Sequence, residues 1–224
     1  MSHRHLEIKR SLNWITGYFS GQDIFIVGSG PSLVGFDFGR LGGRKTIAIN
    51  HAYKYLESDI LVFNDKNFLR EDNCRCMNHS NIVCSVSTGL LPVTHDSGRK
   101  ISVFFSREKI PSDKPEDGLY KNRGSGLTAL NLAQLSGAKR IFLLGYDYRF
   151  YSGSEAGRSS PQRGDSWSHF DNGLVQHYRS DPKDESRFTE VIKCFDAFNP
   201  ANIFNLSLGS GLYQFPKVNM DDVL

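Results

Sequence analysis

An apolar run that ends in glycines constrains this chain more than any other stretch. Asp23-Ile24-Phe25-Ile26-Val27 has strand composition, and Gly28-Ser29-Gly30-Pro31-Ser32-Leu33 follows it directly. Glycines let a backbone turn sharply out of a buried strand and come close to whatever lies beside it. Pro31 stands where a helix can begin, since its missing N–H would have no helical partner anyway. A strand–turn–helix of this kind aims unpaired N–H groups out of the turn, and the helix dipole adds positive partial charge there. The stretch therefore reads either as a plain tight turn or as a phosphate-binding turn. It is not the full dinucleotide fingerprint, which needs a third glycine at a set spacing.

The rest of the chain repeats the same unit. Apolar runs occur at Thr46-Ile47-Ala48-Ile49, Ile60-Leu61-Val62-Phe63, Ile82 to Val86, Ile101 to Phe105, Ile141-Phe142-Leu143-Leu144 and Ile203-Phe204-Asn205-Leu206. Between them lie helical or polar segments. A short helix is expected over Ala52 to Leu56. The second Gly-Ser-Gly turn, Gly124-Ser125-Gly126, opens a helix with Leu127, Leu130, Ala133 and Leu135 on its apolar face, and Gly137 fits its stop. A last long helix is expected over Phe188 to Phe198. Residues 106–123, with Pro111, Pro115 and Gly118, read as a mobile loop. Residues 151–187 are rich in Ser, Gly, Asp and Arg and read as a long polar lid. Leu6, Ile8, Leu12, Ile15 and Phe19 have roughly helical spacing and predict a lead-in helix within 1–22. Short strands alternating with helices imply an α/β fold over 23–224, its mostly parallel sheet covered by helices on both faces. Ligands of such sheets bind beyond the carboxyl ends of the strands. Ser29, Asn50, Asn64, Asp65, Tyr146, Asp147, Asn205 and Ser207 all fall at those ends.

Composition narrows the function classes. With 224 residues, 39% hydrophobic and 23% charged, the chain can bury the core of one soluble domain. A net charge of +3, from 27 Lys and Arg against 24 Asp and Glu, permits an anionic partner without demanding nucleic acid. No apolar run approaches the ~20 residues that a membrane-spanning helix needs. Met1-Ser2-His3-Arg4-His5 lacks the apolar core of a signal peptide, so a cytoplasmic location with reduced thiols is expected. Cys74, Cys76, His79 and Cys84 invite a zinc reading, but C-x-C is an awkward spacing for a zinc knuckle, and no metal site is assigned.

Gly28-Ser29-Gly30-Pro31-Ser32, Gly124-Ser125-Gly126-Leu127 and Ile141-Phe142-Leu143-Leu144-Gly145-Tyr146-Asp147 together resemble the bacterial sialyltransferases that use CMP-sialic acid. The same residues resemble the related flagellin-glycosylation and hydroxymethylpterin pyrophosphokinase-like proteins. The resemblance covers most of 23–212 and implies a Rossmann-like nucleotide-binding transferase. It places Gly28, Ser29, Gly30, Pro31 and Ser32 beside the donor phosphate and ribose, and Asn50, Asn64 and Asp65 near the nucleotide. Gly124, Ser125 and Gly126 would meet the donor sugar or phosphate. Asp147 matches an acidic residue after the central strand. Tyr146, Tyr148, Tyr151 and Tyr178 are candidates for the tyrosines that donate hydrogen bonds to the leaving phosphate.

The family's catalytic base is a lid histidine. Ser168-His169-Phe170 resembles the lid motif, but the base position falls four residues later on Gly173, which leaves His169 or His177 for the role. Asp147 is the next candidate. The implied reaction moves a sugar from a nucleotide-sugar donor, CMP-type favoured, to a hydroxyl acceptor on a glycan, a protein or a modified DNA base. An anionic acceptor is compatible with the arginines of the lid. No cofactor is required. The alternatives are a pterin-type pyrophosphokinase, which would need ATP and Mg²⁺ held by Asp65 and Asp147, and a non-catalytic nucleotide-binding module.

Overall fold

A computed structural model describes residues 13–64, 68, 75–79, 81–84, 100–103, 111–120, 124–149, 151–152, 165–171, 174–179 and 189–224. Its strands are β1 (Asp23–Val27), β2 (Lys45–Ile49), β3 (Ile60–Phe63), β4 (Asn81–Cys84), β5 (Lys100–Val103) and β6 (Arg140–Leu144). Those after β6 are β7 (Tyr151–Ser152), β8 (Asp165–Asp171), β9 (Leu174–Arg179) and β10 (Ile203–Asn205). Helix α1 spans Ser125–Leu135.

Seven strands form one sheet in the order β10-β6-β1-β2-β3-β4-β5, and every pairing in it is parallel. The predicted α/β class and parallel sheet are what the chain adopts. The apolar runs are nearly continuous because both faces of the sheet are buried. Side chains alternate between the two faces, so each strand feeds two separate cores. Ile24, Ile26, Ile47, Val62, Ile141 and Leu143 pack under α1 with Phe195 and Phe198. Phe25, Val27, Ala48, Leu61, Phe142 and Leu144 face the other way. That second face is covered by single 3-10 turns, such as Pro31–Leu33 and Phe38–Leu41, and by Met220 and Val223 near the C-terminus.

Several local expectations differ from what forms. The lead-in helix lies partly outside the described residues. What is described of it is a 3-10 turn, Asn13–Ile15, that sends Ile15 and Phe19 into the core. The segment expected as a mobile loop is anchored where described. Asn131, on the helix and fully buried, accepts from the N–H groups of Tyr120 (2.9 Å) and Ser112 (3.3 Å) and donates to Ser112 O (2.7 Å). Leu119 and Tyr120 are buried as a result. Residues Ser125 to Ala133 are therefore all buried, rather than one face of an amphipathic helix.

The polar segment 151–187 holds more than loop. β7, β8 and β9 form a three-stranded antiparallel sheet, and the pair Asp171↔Leu174 closes β8 onto β9. The two residues between are Asn172-Gly173, the dipeptide most favoured in tight hairpins. Polar composition hid this signal. Among the described residues no helix is long and apolar enough to cross a membrane.

Leu130 is fully buried in α1. Leu130→Ala is expected to cost about 2–5 kcal/mol of stability, seen as a lower urea midpoint with an unchanged m-value. An unchanged midpoint would contradict this packing.

Candidate functional site

The strand order reverses between β1 and β6, which makes their carboxyl ends the topological switch point. The turn after β1 lies there, but the protein fills it from within. Gly28 N–H donates to Leu144 O (2.8 Å) and Gly30 N–H to Gly145 O (2.9 Å). Asp147, 2% exposed, accepts from Ser32 N–H at 2.7 Å and from Ser32 Oγ–H at 2.6 Å. Ser32 Oγ also lies 3.1 Å from Ser207 Oγ, which accepts from Gly145 N–H at 3.1 Å. An anion does sit at this turn, and it is the carboxylate of Asp147.

This changes the meaning of the two glycines. Gly30 is extended (φ −67°, ψ 148°), so it is not there to supply a left-handed backbone. A Cβ on Gly30 would lie 2.5 Å from Gly145 O and 2.6 Å from Asp147 Oδ2, and one on Gly28 would lie 2.7 Å from Gly145 O. Both are needed for close packing of one loop on another. Pro31 opens only a three-residue 3-10 turn, which ends at Val34 in extended conformation. The helix dipole expected there is correspondingly absent. Ser29 remains partly exposed on the turn. Asp147, read from sequence as a catalytic candidate, is buried and bonded to Ser32.

A second corner gathers the other candidates. Ser125, the first residue of α1, accepts from Asn64 N–H (3.1 Å) and donates to Asn50 Oδ1 (3.3 Å). Asn64 Nδ2 donates to Thr128 Oγ1 (2.8 Å), and Thr128 Oγ1–H donates to Tyr120 O (2.9 Å). The ends of β2 and β3 are thus tied to the first turn of α1. Asn50 has φ +51°, a left-handed conformation that asparagine tolerates better than most residues. Gly124 is the N-cap of α1 and, being glycine, gives it no side-chain cap. Asn64 Oδ1 is buried with no hydrogen-bond partner.

Two tyrosines close this corner from the β6 side. Tyr146 Oη–H donates to Gly126 O (3.1 Å). A Cβ on Gly126 would lie 2.5 Å from the Tyr148 hydroxyl and 3.1 Å from the Tyr146 ring, so a larger residue there would have to push the Tyr148 hydroxyl aside. Burial pushes both phenols well above the usual tyrosine range, with the neighbouring Tyr148 adding to the shift at Tyr146. Both remain protonated donors across the neutral range.

Asp65 lies outside the described residues. His169 is on β8 and His177 on β9, where the register pairs His169 with Gln176 and Trp167 with His177. The two histidines therefore occupy neighbouring positions of one antiparallel pair. The backbone of β8 runs beside the Pro31–Leu33 turn, which brings this small sheet to the carboxyl edge. Thr128 was not among the candidates read from sequence. Its spacing of three residues from Ser125 on one helix face was the available signal. A cavity of about 590 Å³, lined by Phe38, Arg44, Lys45, Tyr55 and Asp59, lies at the opposite, amino edge and holds none of the candidates.

No family model matches the chain, and no curated protein matches it. Among solved structures, its fold is similar to that of the MAf glycosyltransferase from Magnetospirillum magneticum AMB-1. The TM-score is 0.61, with 16% identity over 98% of this chain and 36% of that one. This chain thus spans about a third of that protein's length. Also similar is the sialyltransferase CstII from Campylobacter jejuni in complex with cytidine-5'-monophosphate, at a TM-score of 0.42 and 17% identity over 89% of this chain and 85% of that one. The resemblance read from the motifs is met at the level of the fold.

The glycine geometry separates the two corners. Gly30→Ala is expected to destabilise the ligand-free protein by about 1–3 kcal/mol, because the new Cβ meets Gly145 and Asp147. Gly124→Ala has open space for its Cβ and should leave thermal stability nearly unchanged. Equal melting temperatures for Gly30→Ala and the parent would contradict the packing described.

Proposed function

We propose that this domain transfers a glycosyl group from a nucleotide-sugar donor to a hydroxyl acceptor, with a CMP-type donor favoured. The observation that carries the reading is the buried Asn64 Oδ1 without a partner, in the hydrogen-bonded group of Asn50, Asn64, Ser125 and Thr128 beside the start of α1. A buried acceptor in that position calls for a donor, and a helix N-terminus calls for an anion. A nucleoside monophosphate ester offers both, through its hydroxyl or amino groups and its phosphate. The fold shared with a glycosyltransferase is consistent with this.

In the proposed reaction the acceptor oxygen attacks the anomeric carbon. The bond from that carbon to the phosphate oxygen breaks, its electron pair stays on the phosphate, and the acceptor proton passes to a base. Negative charge grows on the departing phosphate. Neutral phenols and backbone N–H groups aimed at that oxygen would stabilise it most as the bond breaks. Tyr148, whose hydroxyl lies beside Gly126 at the start of α1, is proposed as that phenol. Tyr146 holds the helix start through Gly126 O. His169 is proposed as the base, with His177 as the competitor. The mild positive net charge allows an anionic acceptor.

A thermal-shift screen with CMP, UDP, GDP and ATP, each with and without Mg²⁺, tests the ligand class. CMP is expected to raise the melting temperature without Mg²⁺, and Asn64→Leu is expected to remove that shift. Stabilisation by ATP alone, and only with Mg²⁺, would replace glycosyl transfer with pyrophosphoryl transfer. CMP binding with no donor turnover would leave a nucleotide-binding module.

The base is tested by rate. His169→Ala should lower turnover by ~10²–10⁴-fold, with a milder effect for His177→Ala. The buried phenols should add no alkaline limb at neutral to mildly basic pH, because their titration is displaced upward. An unchanged rate in both histidine variants would exclude histidine as the base.

A further inference from the structure

The segment Gly145–Tyr148 is held from two sides. On one side Gly145 O accepts from Gly30 N–H at 2.9 Å, and the Asp147 side chain accepts twice from Ser32. On the other side lies the loop after β10. Ser210 Oγ–H donates to Tyr146 O (2.5 Å), Gly211 N–H donates to Asp147 O (2.6 Å), and Ser207 Oγ accepts from Gly145 N–H. That loop is itself braced, since Leu212 N–H donates to Ser210 Oγ (3.0 Å) and Lys217 Nζ to Ser210 O (2.7 Å). A Cβ on Gly211 would lie 2.6 Å from Tyr148 O, so the two loops touch at backbone distance.

Within this clamp the backbone is forced. Gly145 has φ +66° and Tyr148 has φ +45°. For a bulky non-glycine residue that conformation is an outlier that persists only where its surroundings over-determine it. Its consequence is local: the Tyr148 ring stands on edge against Phe195 (5.2 Å, 72°), and its hydroxyl lies against Gly126 at the first turn of α1. A relaxed backbone at Tyr148 would carry the ring away from the helix start.

We propose that Asp147 is a positioning residue: by occupying the Gly28–Ser32 turn as an internal anion, it locks Tyr148 in its left-handed conformation and so holds the phenol at the start of α1. Asp147 does not touch the substrate and moves no proton. The turn that looks like a phosphate site is spent on holding the neighbouring strand end. The catalytic part of this proposal rests on the glycosyl-transfer reading, whereas the lock itself does not.

Asparagine and alanine at position 147 separate the roles. In Asp147→Asn the amide oxygen can accept from Ser32 N–H while its NH₂ donates to Ser32 Oγ, so the lock survives without the charge. In Asp147→Ala it is lost. With ¹³C-labelled tyrosine, the ring signal of Tyr148, assigned by its disappearance in Tyr148→Phe, should move or split in Asp147→Ala and stay in place in Asp147→Asn. In turnover of a CMP-sugar, Asp147→Ala should lose ~10²-fold in kcat with CMP affinity little changed, and Asp147→Asn should restore most of it. A Tyr148 signal that stays in place in Asp147→Ala overturns the lock. Asp147→Asn as inactive as Asp147→Ala, with its Tyr148 signal in place, overturns the positioning role and makes the carboxylate a catalytic group. Should Asp147→Ala fail to fold, Ser32→Ala removes one of the two bonds and must also perturb the Tyr148 signal; an unmoved signal again overturns the lock. A parent protein without CMP-sugar turnover would sink the glycosyl-transfer reading, and the tyrosine spectra would still decide the lock.

Discussion

Much of the carboxyl edge depends on one carboxylate. Asp147 is buried and would be costly to place there without partners. Ser32 supplies them, through its backbone N–H and its hydroxyl. The bond set joins the end of β6 to the turn after β1, two segments 115 residues apart in sequence. Ser207 extends it to the loop after β10. Three neighbouring strand ends are thereby fixed relative to one another before any ligand arrives. A cavity at this point would have left Gly28 and Gly30 free to receive a phosphate; instead they are the residues small enough to let the loops meet.

Closing the switch point moves the open chemistry sideways. Over β2 and β3 the described strand-end groups include Asn50 and Asn64, which bond to the first turn of α1. These amides and hydroxyls, with the protonated phenols of Tyr146 and Tyr148, are neutral hydrogen-bonding groups. The helix supplying the N–H groups is buried along most of its length, held by Asn131 to the segment above it. Its position is therefore rigid, which would suit the proposed transfer, where charge grows on a departing phosphate.

The fold was legible because its signals are local. Apolar runs ending in glycine or asparagine marked the strands within a residue or two, since a strand buried on both faces must be apolar throughout. The Asn50, Asn64 and Ser125 grouping was also within reach, because parallel strands deliver their ends to one edge. What could not be read was which anion the Gly28–Ser32 turn would receive. A Gly-Ser-Gly-Pro turn packed on a neighbour and one packed on a phosphate need the same residues, and the partner, Asp147, lies far off in sequence. The anchoring of 111–120 was hidden likewise, because Asn131 looks like an ordinary polar position in a helix. The hairpin of β8 and β9 was missed for a different reason: Asn172-Gly173 announced it, but the polar composition around it argued for loop.

With the Gly28–Ser32 turn already holding the Asp147 carboxylate, a ligand phosphate is expected at the start of α1 instead. A crystal structure of the protein with CMP tests it most directly. The phosphate is expected within hydrogen-bond distance of Ser125 and the first-turn N–H groups of α1, with both Asp147–Ser32 bonds intact. A phosphate seated on the N–H groups of Ser29 to Ser32, with Asp147 displaced from Ser32, would contradict the account.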